Sequence, residues 1–525
     1  MAIEFTRDLI KIDEVVGEQL SQALVEADII VPEAKPDIAK ILDVLGRVVI
    51  NSKEAIQDKV MVEGTIKYNI LYVADGDNQY LDSMDVETSF THYIDMPDIK
   101  PKMVPYVNIY VEHLDYDIIN SRKISIKAVL DVNAKVNQEL QLEAIKDFKD
   151  EEKVQALKDD IMISTSQGQG VSQAVIREDV VLDDDMPSIH RILREKVQTT
   201  IDDKRTADNK IVVNGTIDVG ILYLCEEDSR PINYFDCQIE FGHFVDIPGA
   251  YQGMDCDANV TVEDVYVEAR EDINGELRII GIEVLLSVEG EVFEIENKRI
   301  VTDAYSPQTR LQLKKRSVKL VESMGEGQSQ TVVKESISFP QGMPEADEVM
   351  HVSVQPIISD EEIREGQVII EGILASNIIY RSGEMGGVVG NFQEDIPFRQ
   401  AVEINGINED MYSKSSLQVE DVKFVLLSPD EMELKVNIAA RSEVWTISEK
   451  EILLGFEEVE DKEPNEGGIF IYFVKPRDNM WNIAKRYNTT IENILKYNDI
   501  EDEDHLEVGS RIIIYKKFDY QVSAQ

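Results

Sequence analysis

The chain has 525 residues, a length that predicts three or four domains of ordinary size. Asp and Glu number 102 against 53 Lys and Arg, so the formal net charge is −49. A charge this negative repels nucleic acid and anionic membrane surfaces, and it therefore argues against both as partners.

The first residues, the apolar stretches and the cysteines of the chain indicate its cellular compartment. The sequence starts with no basic segment followed by an apolar run, and no stretch reaches the roughly 18 apolar residues of a membrane span. Its three cysteines, Cys225, Cys237 and Cys256, have no CxxC spacing. We therefore expect a cytoplasmic protein with reduced thiols.

In chain order, residues 1–450 consist of short apolar runs between polar turns, and one such run occurs three times, at 60–72, 211–223 and 368–380. The glycines inside these runs are separated by 215 − 64 = 151 and 372 − 215 = 157 residues. The same two offsets, applied without gaps, superpose three sets of residues: Gly64, Gly215 and Gly372; Phe90, Phe241 and Phe398; and the Ser-Gln pairs beginning at Ser21, Ser172 and Ser329.

A period near 150 residues is too long for a solenoid, so we interpret it as three copies of one domain, at 1–140, 158–296 and 315–450. Many short apolar runs and few helical patterns predict a mainly β fold with sandwich-like domains. The acidic segment 457–468 contains Pro and Gly, which is typical of a flexible tether. We expect the tether to let the C-terminal unit move independently.

Two helices are predicted within and between the copies. Pro36 precedes Ile38, Ile41 and Leu42, whose spacing fits one helical face, and Pro suits a first helical turn. The charged segment 138–160 lacks Gly and Pro and carries spaced apolar residues, so a helix is predicted there as well.

Residues 469–517 have a different pattern, which predicts a small α+β unit of the βααβ kind. A strand at 469–474 is followed by a helix with Met480, Ile483, Ala484 and Tyr487 on one face, capped by Asp478 or Asn479. Thr490 would cap a second helix, and residues 511–515 form the closing strand.

At these residues the unit resembles a LysM domain, through residues such as Asp478, Trp481, Thr490, Asn498 and Gly509. The family usually has Gly where this chain has Arg477 and Thr where it has Asn479, in one of two loops that hold N-acetylglucosamine in glycan-binding members. The other loop, 499–504, carries five acids in six residues. These departures disfavour an anionic glycan and favour a protein partner.

The whole arrangement resembles the clostridial spore-coat assembly proteins whose repeats are called SPOCS domains. That resemblance implies a non-enzymatic morphogenetic scaffold of the mother-cell cytosol, located at the forespore surface. Its implied partner is stage IV sporulation protein A, the coat-organising ATPase, bound through the LysM unit. The alternative is a LysM protein that binds glycan in peptidoglycan or cortex.

The search for chemistry along the chain is negative. The six histidines form no HExxH or HxH spacing, and no GxGxxG after a strand, GxxxxGK[ST] or GxSxG motif occurs. We therefore expect no catalytic residue, no cofactor and no metal site. The histidines and the repeated Gly and Phe positions are interpreted as structural.

Partner-binding candidates come from the C-terminal unit. Trp481 is interpreted either as a partner anchor or as a core residue, and the sequence leaves both open. A basic rim around it would suit an acidic protein surface. The complete set of candidates is Trp481, Ile469, Lys475, Arg477, Lys485 and Arg486.

Overall fold

The computed structural model of the chain describes residues 3–76, 80–150, 153–225, 232–383, 388–459, 468–500 and 506–516. Most of the predicted acidic tether therefore lies outside the described residues. Its first three residues, 457–459, complete a strand, and Gly468 begins the next one.

Each repeat contributes six strands. Those of the first repeat are β1 (Phe5–Ile30), β2 (Ile38–Ile56), β3 (Lys59–Ala74), β4 (Leu81–Asp95), β5 (Val104–Asn120) and β6 (Lys123–Phe148). The second repeat has β7 (Gln155–Val181), β8 (Ile189–Ala207), β9 (Lys210–Cys225), β10 (Ile232–Asp246), β11 (Asp255–Glu271) and β12 (Leu277–Tyr305). The third has β13 (Arg310–Ser338), β14 (Glu348–Arg364), β15 (Gln367–Ser382), β16 (Val388–Glu403), β17 (Tyr412–Ser428) and β18 (Glu431–Val459).

The six strands of a repeat form two antiparallel sheets that pack face to face. In the first repeat these are the large sheet β1-β6-β5 and the small sheet β2-β3-β4, and the other repeats have the same order. Alternate residues of both sheets fill one apolar core per repeat, as the two-residue period of a strand requires. The predicted mainly β, sandwich-like fold is confirmed.

The three repeated glycines occupy the same environment, as the repeat predicts. Gly64 is the cross-strand partner of Phe90, and a Cβ on the glycine would lie 2.7 Å from the phenyl ring. The distances at Gly215 and Gly372 are 2.7 and 2.8 Å. Each ring therefore lies over a glycine because no side chain stands in its place.

The helix predicted after Pro36 is wrong, because Ile38 begins strand β2. The ladder between β2 and β3 contains bulges between Ile38 and Lys40 and between Ile41 and Asp43. Each bulge inserts one residue and turns the next side chains to the other face. Ile38, Ile41 and Leu42 are all buried as a result, with a spacing that imitates a helix.

The helix predicted at 138–160 is also wrong. Strand β6 continues to Phe148 and strand β7 begins at Gln155, so two long strands meet at a tight connection. A bulge in the β1–β6 ladder, where Thr6 pairs with Asp147 and Arg7 with Ile145, again breaks the two-residue period.

The three sandwiches form a closed ring, in which a small-sheet strand of each repeat contacts a large-sheet strand of another. Arg47 of the first repeat donates to the carbonyl of Val262 in the second, at 2.7 Å. Thr200 of the second donates to Gln418 of the third at 3.0 Å. Gln355 of the third closes the ring by donating to the carbonyl oxygen of Val111 in the first, at 3.3 Å.

At the centre of this ring, three chemically different residues from equivalent positions of the repeats come together. Asp43, Arg194 and His351 are separated by the same offsets of 151 and 157 as the repeated glycines. Arg194 donates to the Asp43 carboxylate, and both side chains are buried. Burial and the charge of Arg194 lower the pKa of His351 to about 4. A buried ion pair therefore joins the first two repeats, beside the histidine of the third.

The outer ends of the long strands form a second shared core, which we call the stem. Strands β1 and β6, β7 and β12, and β13 and β18 continue beyond their sandwiches as paired arms. Their inward side chains pack together between repeats. The stem core contains, at equivalent positions, Ile10 and Ile12, Ile161 and Ile163, and Val318 and Leu320.

Candidate partner-binding surface of the C-terminal domain

The C-terminal domain consists of β19 (Gly468–Phe473), α1 (Met480–Arg486), α2 (Ile491–Leu495) and β20 (Arg511–Lys516), in the predicted βααβ order. Asn479 caps α1, because its side chain accepts a hydrogen bond from the amide of Asn482 at 2.8 Å. Thr490 caps α2 in the same way, accepting from Asn493 at 3.1 Å. Both predicted helix starts are confirmed.

Polar side chains of the LysM pattern fix the fold of this domain. The amide of Asn498 donates to the carbonyl oxygens of Ile494 and Ile513, each at 2.7 Å, which joins α2 to β20. Asp478 accepts from the amide of Lys475 and from the hydroxyl of Tyr472. Arg477 has φ +70°, so it adopts the backbone conformation for which glycine is usual.

The two-stranded sheet β19-β20 has one covered and one exposed face. Tyr472, Ile512 and Ile514 point inward and pack on the helices. The opposite face of β19 presents Ile469, Ile471 and Phe473, which are 70%, 57% and 61% exposed. We call this the outer hairpin face. On β20, Tyr515 and Ile513 are the partners of Ile469 and Ile471, so the apolar surface spans both strands.

Trp481 lies on the other side of the domain and points into the body of the chain. Its side chain is 8% exposed, and the ring meets Tyr305 at 4.9 Å between centroids in an edge-on arrangement. Its Nε1 donates to Asp303 Oδ2 at 2.9 Å. Both contacts come from the end of β12, and sequence reasoning gave no sign of them because about 180 residues separate the partners.

The predicted basic rim is divided by this docking. Lys485 donates to both carboxylate oxygens of Asp303, at 2.7 and 2.5 Å. Lys475, Arg477 and Arg486 remain exposed, and Arg486 donates to the Tyr472 hydroxyl at 2.8 Å. The structure therefore separates the predicted residues into Trp481 and Lys485 against the body, Ile469 on the outer hairpin face, and three exposed cations.

Two residues of the outer hairpin face, Ile471 and Phe473, were missed by the sequence analysis. The signal that could have found them is the two-residue period of β19, in which 469, 471 and 473 are all large and apolar. The predicted acidic loop 499–504 is described only for Asp499 and Ile500, and its other residues lie outside the described ranges.

Two histidines of the repeats contact serines, and the third repeat indicates why. His92 Nε2 lies 2.8 Å from Ser21 Oγ, and His243 Nε2 lies 2.9 Å from Ser172 Oγ. In the third repeat Gln400 occupies the equivalent position and donates to Ser329 Oγ at 2.9 Å. Since an amide replaces the imidazole, the feature that the three repeats share is a hydrogen bond between β1 and β4 or their equivalents.

Neither a metal cluster nor a membrane helix is found in the part of the chain that the structure describes. Its His, Cys, Asp and Glu side chains nowhere form a group of three that could hold a metal ion. Among its helices, none has the length and apolar character to cross a membrane.

These observations define a class, namely a single-chain ring of three β-sandwich repeats with a LysM-type unit docked on it. The family model described as "SipL, SPOCS domain" matches residues 37–119, 188–270 and 345–427, and a "LysM domain" model matches 472–514. The chain therefore contains three SPOCS domains and a C-terminal LysM domain, an arrangement that matches a SipL-like protein and supports an association with the sporulation coat. No curated protein and no solved structure matches it.

Each SPOCS match spans four strands of a repeat, from β2 to β5 in the first. The longest strands, which build the stem, lie outside the matches. The resemblance to this family, expected from the repeat and the LysM pattern, is confirmed.

Proposed function

We propose that the chain is a non-enzymatic scaffold of spore-coat assembly that binds stage IV sporulation protein A, the coat-organising ATPase, through its LysM domain. The observation that carries this proposal is the outer hairpin face, where Ile469, Ile471 and Phe473 stand together in solvent. Contiguous exposed apolar side chains of this size mark protein interaction surfaces more often than they occur without a role.

Charge supports a protein partner at this face. Residues 469–517 hold eight basic and eight acidic residues, in a chain whose net charge is −49. The LysM domain is thus the neutral end of an acidic molecule, and exposed Lys475, Arg477 and Arg486 give it local positive charge. An acidic partner surface would approach this end with the least repulsion, and added salt would slow the association.

The proposed location is the mother-cell cytosol at the forespore surface, which the resemblance to this family supports. The body of three repeats would then hold coat components around the spore. Glycan binding is the weaker candidate, because Arg477 and Asn479 replace the usual residues of one sugar-holding loop and Asn479 is committed to capping α1.

The test is binding of the purified full-length chain to the purified ATPase. Ile471→Lys places a charge at the centre of the outer hairpin face, and we expect affinity to fall about 30-fold, as for an interface hot spot. Val508→Lys is the matched control, since Val508 is 60% exposed in the same domain but lies outside the hairpin strands. Circular dichroism would show that both variants are folded.

Two results would contradict the proposal. One is unchanged affinity of Ile471→Lys for the ATPase. The other is a wild-type chain that sediments with purified peptidoglycan and does not bind the ATPase, which would support the glycan alternative.

A further inference from the structure

Specific hydrogen bonds and ion pairs join the LysM domain to the body of three repeats. Asp303, at the end of β12, accepts hydrogen bonds from Trp481 Nε1 at 2.9 Å and from Lys485 Nζ at 2.5 and 2.7 Å. Lys315 of β13 lies 3.1 Å from the same carboxylate. One carboxylate, 14% exposed, thus joins two strands of the stem to helix α1.

The charge state of Asp303 is consistent with its role in joining the stem to helix α1. Burial alone would raise its pKa, but the hydrogen bonds from Lys485, Trp481 and Lys315 outweigh burial and hold the pKa below its usual range. The carboxylate is therefore charged at neutral pH, when it pairs most strongly with Lys485.

Tyr305 adds an apolar component to the same contact. It is 5% exposed and belongs to the core that contains Met480, Trp481 and Ile483. Its hydroxyl donates to the carbonyl oxygen of Thr489 at 2.7 Å, in the loop between α1 and α2. A residue of the second repeat thus completes the core of a domain that begins more than 160 residues later.

We propose that Asp303 and Tyr305 form a receptor on the stem for the chain's own LysM domain, and that Trp481 is the anchor of this intramolecular interface. The domain is then a fixed part of the molecule, in contrast to the independently moving unit expected from the tether. The receptor binds helix α1, and the outer hairpin face remains exposed, pointing away from the body. This inference does not depend on the identity of any partner.

The test uses the full-length chain with Trp445→Phe, which leaves Trp481 as its single tryptophan, because the sequence has only two. We expect Asp303→Lys to shift Trp481 emission to the red and to speed deuterium exchange of the α1 amides at least about tenfold, since the loss of even one charge-assisted hydrogen bond has an effect of that size. Glu296→Lys is the matched control, since Glu296 also lies on β12 but contacts Lys298.

A double-mutant cycle of Asp303 and Lys485 distinguishes the loss of this contact from general unfolding of a variant. Asp303→Asn and Lys485→Met should each speed exchange of α1, and the double variant should be no faster than the more affected single one. Additive effects in the cycle, or wild-type emission and exchange in Asp303→Lys, would overturn the proposal.

Discussion

Arg477 shows how a single residue can keep the LysM pattern while departing from its chemistry. Its φ of +70° costs a side chain such as arginine roughly 1–2 kcal/mol, because Cβ approaches the neighbouring carbonyl oxygen. The sequence already marked this position, since the family usually has Gly there. The exposed cation is thus kept at an energetic cost, which is consistent with a role outside the fold.

Arg477→Gly should therefore stabilise the LysM domain by about 1 kcal/mol, part of the steric gain being lost to the greater freedom of unfolded glycine. Deuterium exchange of the β19 and β20 amides should slow about fivefold. Asn488→Gly is the control, because Asn488 has φ +50° but asparagine tolerates that conformation better. Faster exchange in Arg477→Gly would show that its side chain stabilises the domain.

The strands of the three repeats are more alike than the surfaces of the repeats are. The glycine beneath each repeated phenylalanine is the clearest example. A Cβ would lie 2.2 Å from the Thr200 carbonyl oxygen at Gly215 and 2.9 Å from the Val49 carbonyl oxygen at Gly64. Both sites thus exclude a side chain, because a backbone carbonyl cannot easily move aside, and Gly215 does so more strictly because its neighbouring carbonyl oxygen is closer.

Gly215→Ala should lower the free energy of unfolding by about 1–3 kcal/mol, the usual cost of overpacking, and by more than Gly64→Ala. Urea unfolding of the full-length variants measures both. Gly242→Ala is the control, because its Cβ would meet only the Asn214 side chain, at 3.0 Å. Equal losses in all three variants would mean that the backbone relaxes freely around Gly215.

Strand bulges explain what could and could not be predicted about the elements. The repeat offsets, the sandwich pattern and both LysM helix caps followed from spacing and residue type. The two false helices occurred where bulges disrupt the two-residue period, near Ile41 and near Ile145. A pattern of buried residues cannot by itself distinguish a bulged strand from a short helix.

At the scale of the whole molecule, the centre of the ring joins residues whose contact no sequence pattern predicts. Asp43, Arg194 and His351 occupy equivalent positions of the three repeats. Because their side chains differ chemically, the sequence gives no sign that they contact one another. The docking of Trp481 on Asp303 was unpredictable for the same reason, because such contacts depend on how finished domains pack.

The ring centre should make stability depend on pH. The pKa of His351, near 4 in the folded chain and about 6.5 when unfolded, means that the unfolded chain binds the proton more readily. The neutral imidazole, next to Arg194 and Lys196, therefore stabilises the fold above pH 6.5, and this contribution is lost as pH falls towards 4.

We expect His351→Gln to remove that loss. Between pH 7 and pH 5 the wild type should lose on the order of 1–2 kcal/mol more than the variant, measured by urea unfolding at each pH. Parallel pH profiles for the two proteins would contradict the assigned role of this histidine.

The stem also imposes an order on synthesis. The inward faces of the β1–β6 and β7–β12 arms are covered fully only when β18, which ends at Val459, has left the ribosome. At typical elongation rates that is roughly 8–30 s after β12 is complete. During this interval the arms of two finished sandwiches present apolar faces that are only partly covered, so chaperones would be expected to bind a nascent chain or one truncated before the third repeat.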